Sequence, residues 1–199
     1  HVSTIAATTT SPGAGPRAPE NSGAVTLSAS TIRMENGAAI RANAEAGGSA
    51  GSIAIKGGEG NERAAKNVTL DNATLSTIIN GGGPGNTPGA ITITADQITF
   101  NNGTYVTADT LGPAPAGNIT FNVGTLTTKG GPIRLHVSPE SLITNPIISD
   151  TGVLIESTSR STDAGAGKAG QIVIQGINGP GSTAGTISLN DTILHTRSF

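Results

Sequence analysis

The chain has 199 residues, which suits one ordinary domain or one run of a repeat array. Only 12% of residues are charged, the net charge is -2 and mean hydropathy is -0.04; these values argue against a disordered chain, and no basic patch marks a nucleic-acid partner. The absence of cysteine excludes disulfides and thiolate metal sites, and no apolar run approaches the roughly 20 residues of a membrane span.

Aromatic residues are scarce: Phe100, Phe121, Phe199 and Tyr105 are all of them. A compact globule needs more large side chains at its centre, whereas a narrow core of Ile, Val, Leu and Ala does not. The 29 glycines and 11 prolines, without a Gly-X-Y period, fit many short strands separated by turns. No charged n-region or apolar h-region follows His1, so a secreted protein would be represented here by a mature or internal segment.

Residues 1–22 open in mid-phrase, because Val2-Ser3-Thr4-Ile5 matches Leu75-Ser76-Thr77-Ile78 late in a later repeat. One phrase, Gly-x-Ile-x-Ile, then organises the chain. It begins at Gly23, Gly51, Gly89, Gly117, Gly170 and Gly185, and each copy alternates apolar with small or polar residues. That period of two is the mark of a half-buried strand, and the leading glycine is read as the flexible residue of a sharp corner.

Residues 23–50 and 89–116 follow one plan without a gap. Each places a second strand after the glycine-led one (Thr31–Met34, Gln97–Phe100), then Asn36-Gly37 or Asn102-Gly103, then a third strand (Ala39–Ala42, Tyr105–Ala108). Asn-Gly readily takes positive φ and marks a tight turn. Residues 51–88 keep the plan with a longer first corner, Lys56 to Lys66. In residues 117–169 strands are expected at 117–121, 124–128 and 152–157, with a loop excursion from Lys129 to Asp150. Residues 51–80 and 170–199 share nine of thirty positions, and this alignment sets Gly185 inside a repeat, at a second strand, rather than at the start of one.

The expectation is an all-β fold: a parallel β-helix, or solenoid, of about five three-stranded coils, about 25 Å long, with a loop excursion near 129–150. The whole of 1–199 is read as a single segment, cut at both ends from a longer array.

The phrases Pro88-Gly89-Ala90-Ile91-Thr92-Ile93, Ala116-Gly117-Asn118-Ile119-Thr120-Phe121 and Ala169-Gly170-Gln171-Ile172-Val173-Ile174, with the Asn36-Gly37 and Asn102-Gly103 turns, resemble the repeats of filamentous-haemagglutinin-like exoproteins. The resemblance runs from Val2 to Leu194. It implies a right-handed parallel β-helix in a secreted bacterial protein of the two-partner type, exported through an outer-membrane β-barrel transporter. It also implies an extracellular or cell-surface adhesin, filament or biofilm role. The family's secretion domain carries an Asn-Pro-Asn motif; here only Asn145-Pro146-Ile147 occurs, so that domain is not identified.

Candidate chemistry is thin. Glycoside hydrolysis needs two carboxylates across a scissile bond, and the nearest grouping is Glu140, Asp150 and Glu156, with Arg134 and His136 close in sequence. This grouping by the excursion is the alternative reading: a carbohydrate-active or carbohydrate-binding β-helix. Gly57-Gly58-Glu59-Gly60-Asn61 is a single degenerate copy of a calcium turn and reads better as a flexible corner. The sequons at Asn67, Asn72, Asn102, Asn118 and Asn190 arise where corner asparagines precede strand threonines. His1, His136 and His195 show no metal or triad spacing. The outward positions Thr26, Ala54, Thr92, Thr120 and Val173 form no regular threonine ladder for binding ice. No catalytic, cofactor-binding or metal-binding residue is assigned, no cofactor is expected, and the expected function is a non-enzymatic structural rod. Expected partners are further copies stacked end to end or laterally as a homo-oligomer or filament, the export transporter, and a host or matrix ligand of unspecified identity.

Overall fold

The computed structural model describes residues 4–6, 21–44, 47–58, 63–81, 83–131, 152–161 and 167–198. Among them are strands and no helix. The first repeat holds β2 (Val25–Ser28), β3 (Thr31–Glu35) and β4 (Ala39–Arg41), preceded by β1 (Thr4–Ala6). The second holds β5 (Ile53–Lys56), β6 (Ala65–Asp71) and β7 (Thr74–Ser76), and the third β8 (Ile91–Asn101) and β9 (Tyr105–Thr107). The fourth holds β10 (Ile119–Lys129) and β11 (Val153–Ser159), and the fifth β12 (Ile172–Gln175), β13 (Thr186–Ser188) and β14 (Thr192–Ser198).

Every pairing between these strands is parallel, and each joins one repeat to the next in the chain. One sheet runs β1-β4-β7-β9-β11-β14; the other runs β12-β10-β8-β5-β2, with β3, β6 and β13 completing it beside β8 and β10. The register keeps like over like. Val25, Ile53, Ile91, Ile119 and Ile172 form one column, and Ile32, Val68, Ile98, Leu126 and Ile187 form another. Ile40, Leu75, Val106, Ile155 and Leu194 form the third. Apart from the exposed Ile187 and Leu194, these columns meet in one continuous core, within which the rings of Phe100 and Phe121 pack edge to face with centroids 5.4 Å apart. Thr186–Ser188 pairs with the second half of β10, so Gly185 leads a second strand.

Two sequence expectations need correction. The first and second strands of the third and fourth repeats are not separate: β8 and β10 run through the corner unbroken. In β8 the alternation slips where Asp96 and Gln97 are both exposed, so one bent strand serves two columns. The role of the leading glycine also differs from the flexible-corner reading. Gly51, Gly89, Gly117 and Gly170 are absent from the positive-φ residues. Instead, a Cβ at each would lie 2.1, 2.3, 1.7 and 2.0 Å from the carbonyl oxygen of the leading glycine one repeat earlier. Real Cβ contacts essentially never fall below 3.0 Å, so glycine is required here by close approach of backbones. At Gly185 the corresponding distance, to Gly124, is 3.0 Å. Positive φ is found where Asn-Gly predicted it: Asn36 and Gly37 at 56° and 80°, Asn102 and Gly103 at 36° and 68°.

Candidate functional site

The most unusual chemistry lies on the outward side of the β9–β11–β14 sheet. Alternation along these strands sends Val106 and Ile155 into the core, and so turns Tyr105, Asp109, Glu156 and Arg160 the other way. The parallel register then brings together residues far apart in sequence. Arg160 Nη2 donates to Asp109 Oδ2 at 2.9 Å and, very closely, to Glu156 Oε1. The Tyr105 hydroxyl donates to the same Glu156 oxygen at 2.6 Å. Asp109 Oδ1 accepts the backbone N–H of Thr158 at 2.8 Å, as Asn43 Oδ1 accepts that of Ile78 at 2.9 Å. Asp109 thus repeats a backbone-tying role that an uncharged amide performs two repeats earlier.

The cluster is dry. Glu156 is 1% and Asp109 3% exposed, and every residue of β11 is buried on both faces. Burial, then the hydrogen bond and charge of Glu156, push the Asp109 carboxyl up to about 8 against the opposing pull of Arg160. Burial also penalises the Glu156 carboxylate, but the hydrogen bond from Asp109, the charge of Arg160 and the Tyr105 hydroxyl outweigh it and hold Glu156 below its ordinary value. Burial, reinforced by the Glu156 charge, raises the Tyr105 phenol. Arg160 stays charged: burial opposes its charge, but Glu156 and Asp109 more than compensate. At neutral pH the two carboxyls therefore hold one proton and one negative charge between them, balanced by one guanidinium.

His195 of β14 completes the group. Its Nδ1 stands 3.7 Å from Glu156 Oε2, beyond hydrogen-bond reach, and both atoms are buried without a hydrogen-bond partner.

A protonated acid beside a carboxylate has the composition of an acid–base pair, yet the geometry is wrong for glycoside hydrolysis. Asp109 and Glu156 share one Arg160 nitrogen and are 3% and 1% exposed, whereas glycoside hydrolysis needs two carboxylates that a sugar ring can lie between. Three of their four oxygens are engaged by protein donors. The arrangement acts as an ionic clasp that ties the third repeat to the fourth.

Of the carboxylates singled out in the sequence, Glu156 alone lies among the described residues and belongs to this clasp. Glu140, Asp150, Arg134 and His136 lie outside them, as do most of the 129–150 excursion, His1, and Glu59, Gly60 and Asn61 of the degenerate calcium turn. Among the described residues no group of three or more His, Asp or Glu side chains could hold a metal ion, and no helix is long and apolar enough to cross a membrane. Several sequon asparagines have structural work: Asn72 and Asn102 turn corners at positive φ, and Asn118 Oδ1 accepts the N–H of Gln171 at 2.9 Å. Sequence reasoning missed Tyr105, Asp109 and Arg160. The available signal was Glu156 itself, one acid inside the otherwise uncharged strand Val153–Ser159.

No protein-family model, no curated protein and no solved structure matches the chain.

Proposed function

We propose that the chain is a segment of a right-handed parallel β-helix of about five coils, and that it serves without catalysis as a structural rod. The rod belongs to a secreted bacterial surface or filament protein of the filamentous-haemagglutinin-like kind, exported by an outer-membrane partner. The observation that carries this reading is the stacking of like residues in register from repeat to repeat: Ile53, Ile91 and Ile119 lie over one another along parallel strands and are buried. Leu70 over Phe100 and Leu75 over Val106 stack in the same way and are buried too.

Each coil added in this way covers the apolar columns of the one before it, so stability and length grow together. The ladders of Ile, Leu and Val give stiffness, and the outward residues are free to vary. Electron microscopy of the native material tests the proposal: rods or fibres with an axial repeat of about 4.8 Å are expected. Compact, monomeric particles at all concentrations would overturn it.

A further inference from the structure

Strands β11 and β14 join the fourth repeat to the fifth, and one contact between them is not made. Among the described residues five buried side-chain polar atoms lack a hydrogen-bond partner. Three are the hydroxyls of Thr107, Thr158 and Ser159; the other two are Glu156 Oε2 and His195 Nδ1, which stand 3.7 Å apart. The register sets Thr107, Glu156 and His195 side by side in one rank across β9, β11 and β14.

The gap has a chemical reason. A carboxylate oxygen only accepts hydrogen bonds, and so does an imidazole nitrogen that carries no proton. A neutral ring with its hydrogen on Nε2 therefore sets two acceptors face to face. A proton on Nδ1 turns the same contact into a charge-assisted N–H···O bond of about 2.7–2.9 Å, reached from 3.7 Å by a movement of about 1 Å.

The surrounding groups favour this outcome. Glu156 is held below its ordinary value, so it is ionised across the range of about pH 5 to 8 in which histidines change charge. Its Oε1 is taken by the Arg160 guanidinium and the Tyr105 hydroxyl, which leaves Oε2 open. Among the described residues, the titratable and charged groups around His195 are Glu156, Arg160, Asp109 and Tyr105 across the boundary and Arg197 on β14 itself. Strand β12, which also packs against β14, has none.

We propose that Glu156 and His195 form an acid-closed latch, in which a proton taken up by the imidazole bonds the fifth repeat to the fourth. The clasp ties Glu156 to the third repeat and the latch ties it to the fifth, so one carboxylate serves two boundaries. The bond exists only in the folded chain with a charged imidazole. Its stabilisation is therefore present on the acid side of the histidine range and is lost as pH rises through it.

Hydrogen exchange of the β14 amides tests the latch in an Asp109→Asn background, which removes the titration of the clasp. Corrected for intrinsic rates, their protection should rise about tenfold, or about 1.4 kcal/mol, from about pH 8 to about pH 5. Adding His195→Gln, which does not titrate, should abolish that rise; the side chain is 25% exposed, so the substitution leaves the fold intact. Nitrogen resonances of the wild-type imidazole provide a second reading that needs no variant: Nε2–H in the neutral ring and a slowly exchanging Nδ1 proton in acid. The proposal is overturned if β14 protection does not change with pH, if His195→Gln keeps the full response, or if the neutral ring already carries its proton on Nδ1.

Discussion

Replacing Gly117 with alanine tests the most exacting contact in the fold. The new Cβ would lie 1.7 Å from the Gly89 carbonyl oxygen, 2.8 Å from its carbon and 3.3 Å from the Ala108 Cβ. Both of the closest atoms are backbone, so no side chain can swing aside; the two repeats must separate locally to restore a contact of at least 3.0 Å. Bonds in the path of that movement include Gly117 N–H to Ala108 O at 2.9 Å, Ile91 N–H to Asn118 O at 2.9 Å and Ser157 Oγ to Gly117 O at 2.6 Å. Overpacking of this kind costs about 1–3 kcal/mol, and two weakened hydrogen bonds add about 1 kcal/mol each. Against this, alanine restricts the unfolded chain and returns about 0.4–1 kcal/mol. The net expectation is a loss of about 3 kcal/mol, read from urea denaturation followed by circular dichroism. Gly58→Ala and Gly85→Ala are matched controls: a Cβ at either meets nothing within 4 Å and neither has positive φ, so both should be neutral or slightly stabilising. If Gly117→Ala lies within about 1 kcal/mol of wild type, against the 1–3 kcal/mol scale for overpacking, the close-approach reading of the leading glycine is wrong.

Two further outcomes follow from the core and the clasp. Ile91 is fully buried between Ile53 and Ile119, so Ile91→Asp would strand a charge in the apolar column and should cost several kcal/mol; a variant of unchanged stability would show that the column does not point inward. The clasp makes stability depend on pH, because the folded chain holds the Asp109 proton up to about 8 whereas the unfolded chain releases it near 3.8. Stability should thus fall as pH rises across that interval, by at most about 1.4 kcal/mol per unit, and level off above it. Glu156 has the opposite sign: held below its ordinary value, it contributes stability that is lost as pH falls through the acid range. Asp109→Asn keeps an uncharged acceptor for Thr158 N–H and should flatten the fall between 3.8 and about 8, so parallel wild-type and variant profiles of urea midpoint against pH would refute the shared proton.

How far the sequence discloses this molecule depends on the range of the interaction. The apolar columns were legible because alternation is local, and one phrase repeated in register sets Ile53 over Ile91 over Ile119. The Asn-Gly turns were legible for the same reason. The function of the leading glycine was not, since its constraint comes from a carbonyl in the preceding repeat rather than from its own φ. The clasp was hidden further still. Tyr105 and Glu156 are 51 residues apart, and the excursion between them conceals which residue of the third repeat faces which of the fourth.

The direction of the backbone hydrogen bonds carries a mechanical consequence. In every parallel pair these bonds run from one repeat to the next, across the strands. A pull along the direction of repeat addition therefore stretches them end-on rather than shearing them, and the load passes through each boundary between repeats in series. The weakest boundary yields first while the others keep their register. The clasp of Asp109, Glu156 and Arg160 reinforces the boundary between the third and fourth repeats. A molecule built this way gives up length in discrete steps under tension and can regain it one repeat at a time.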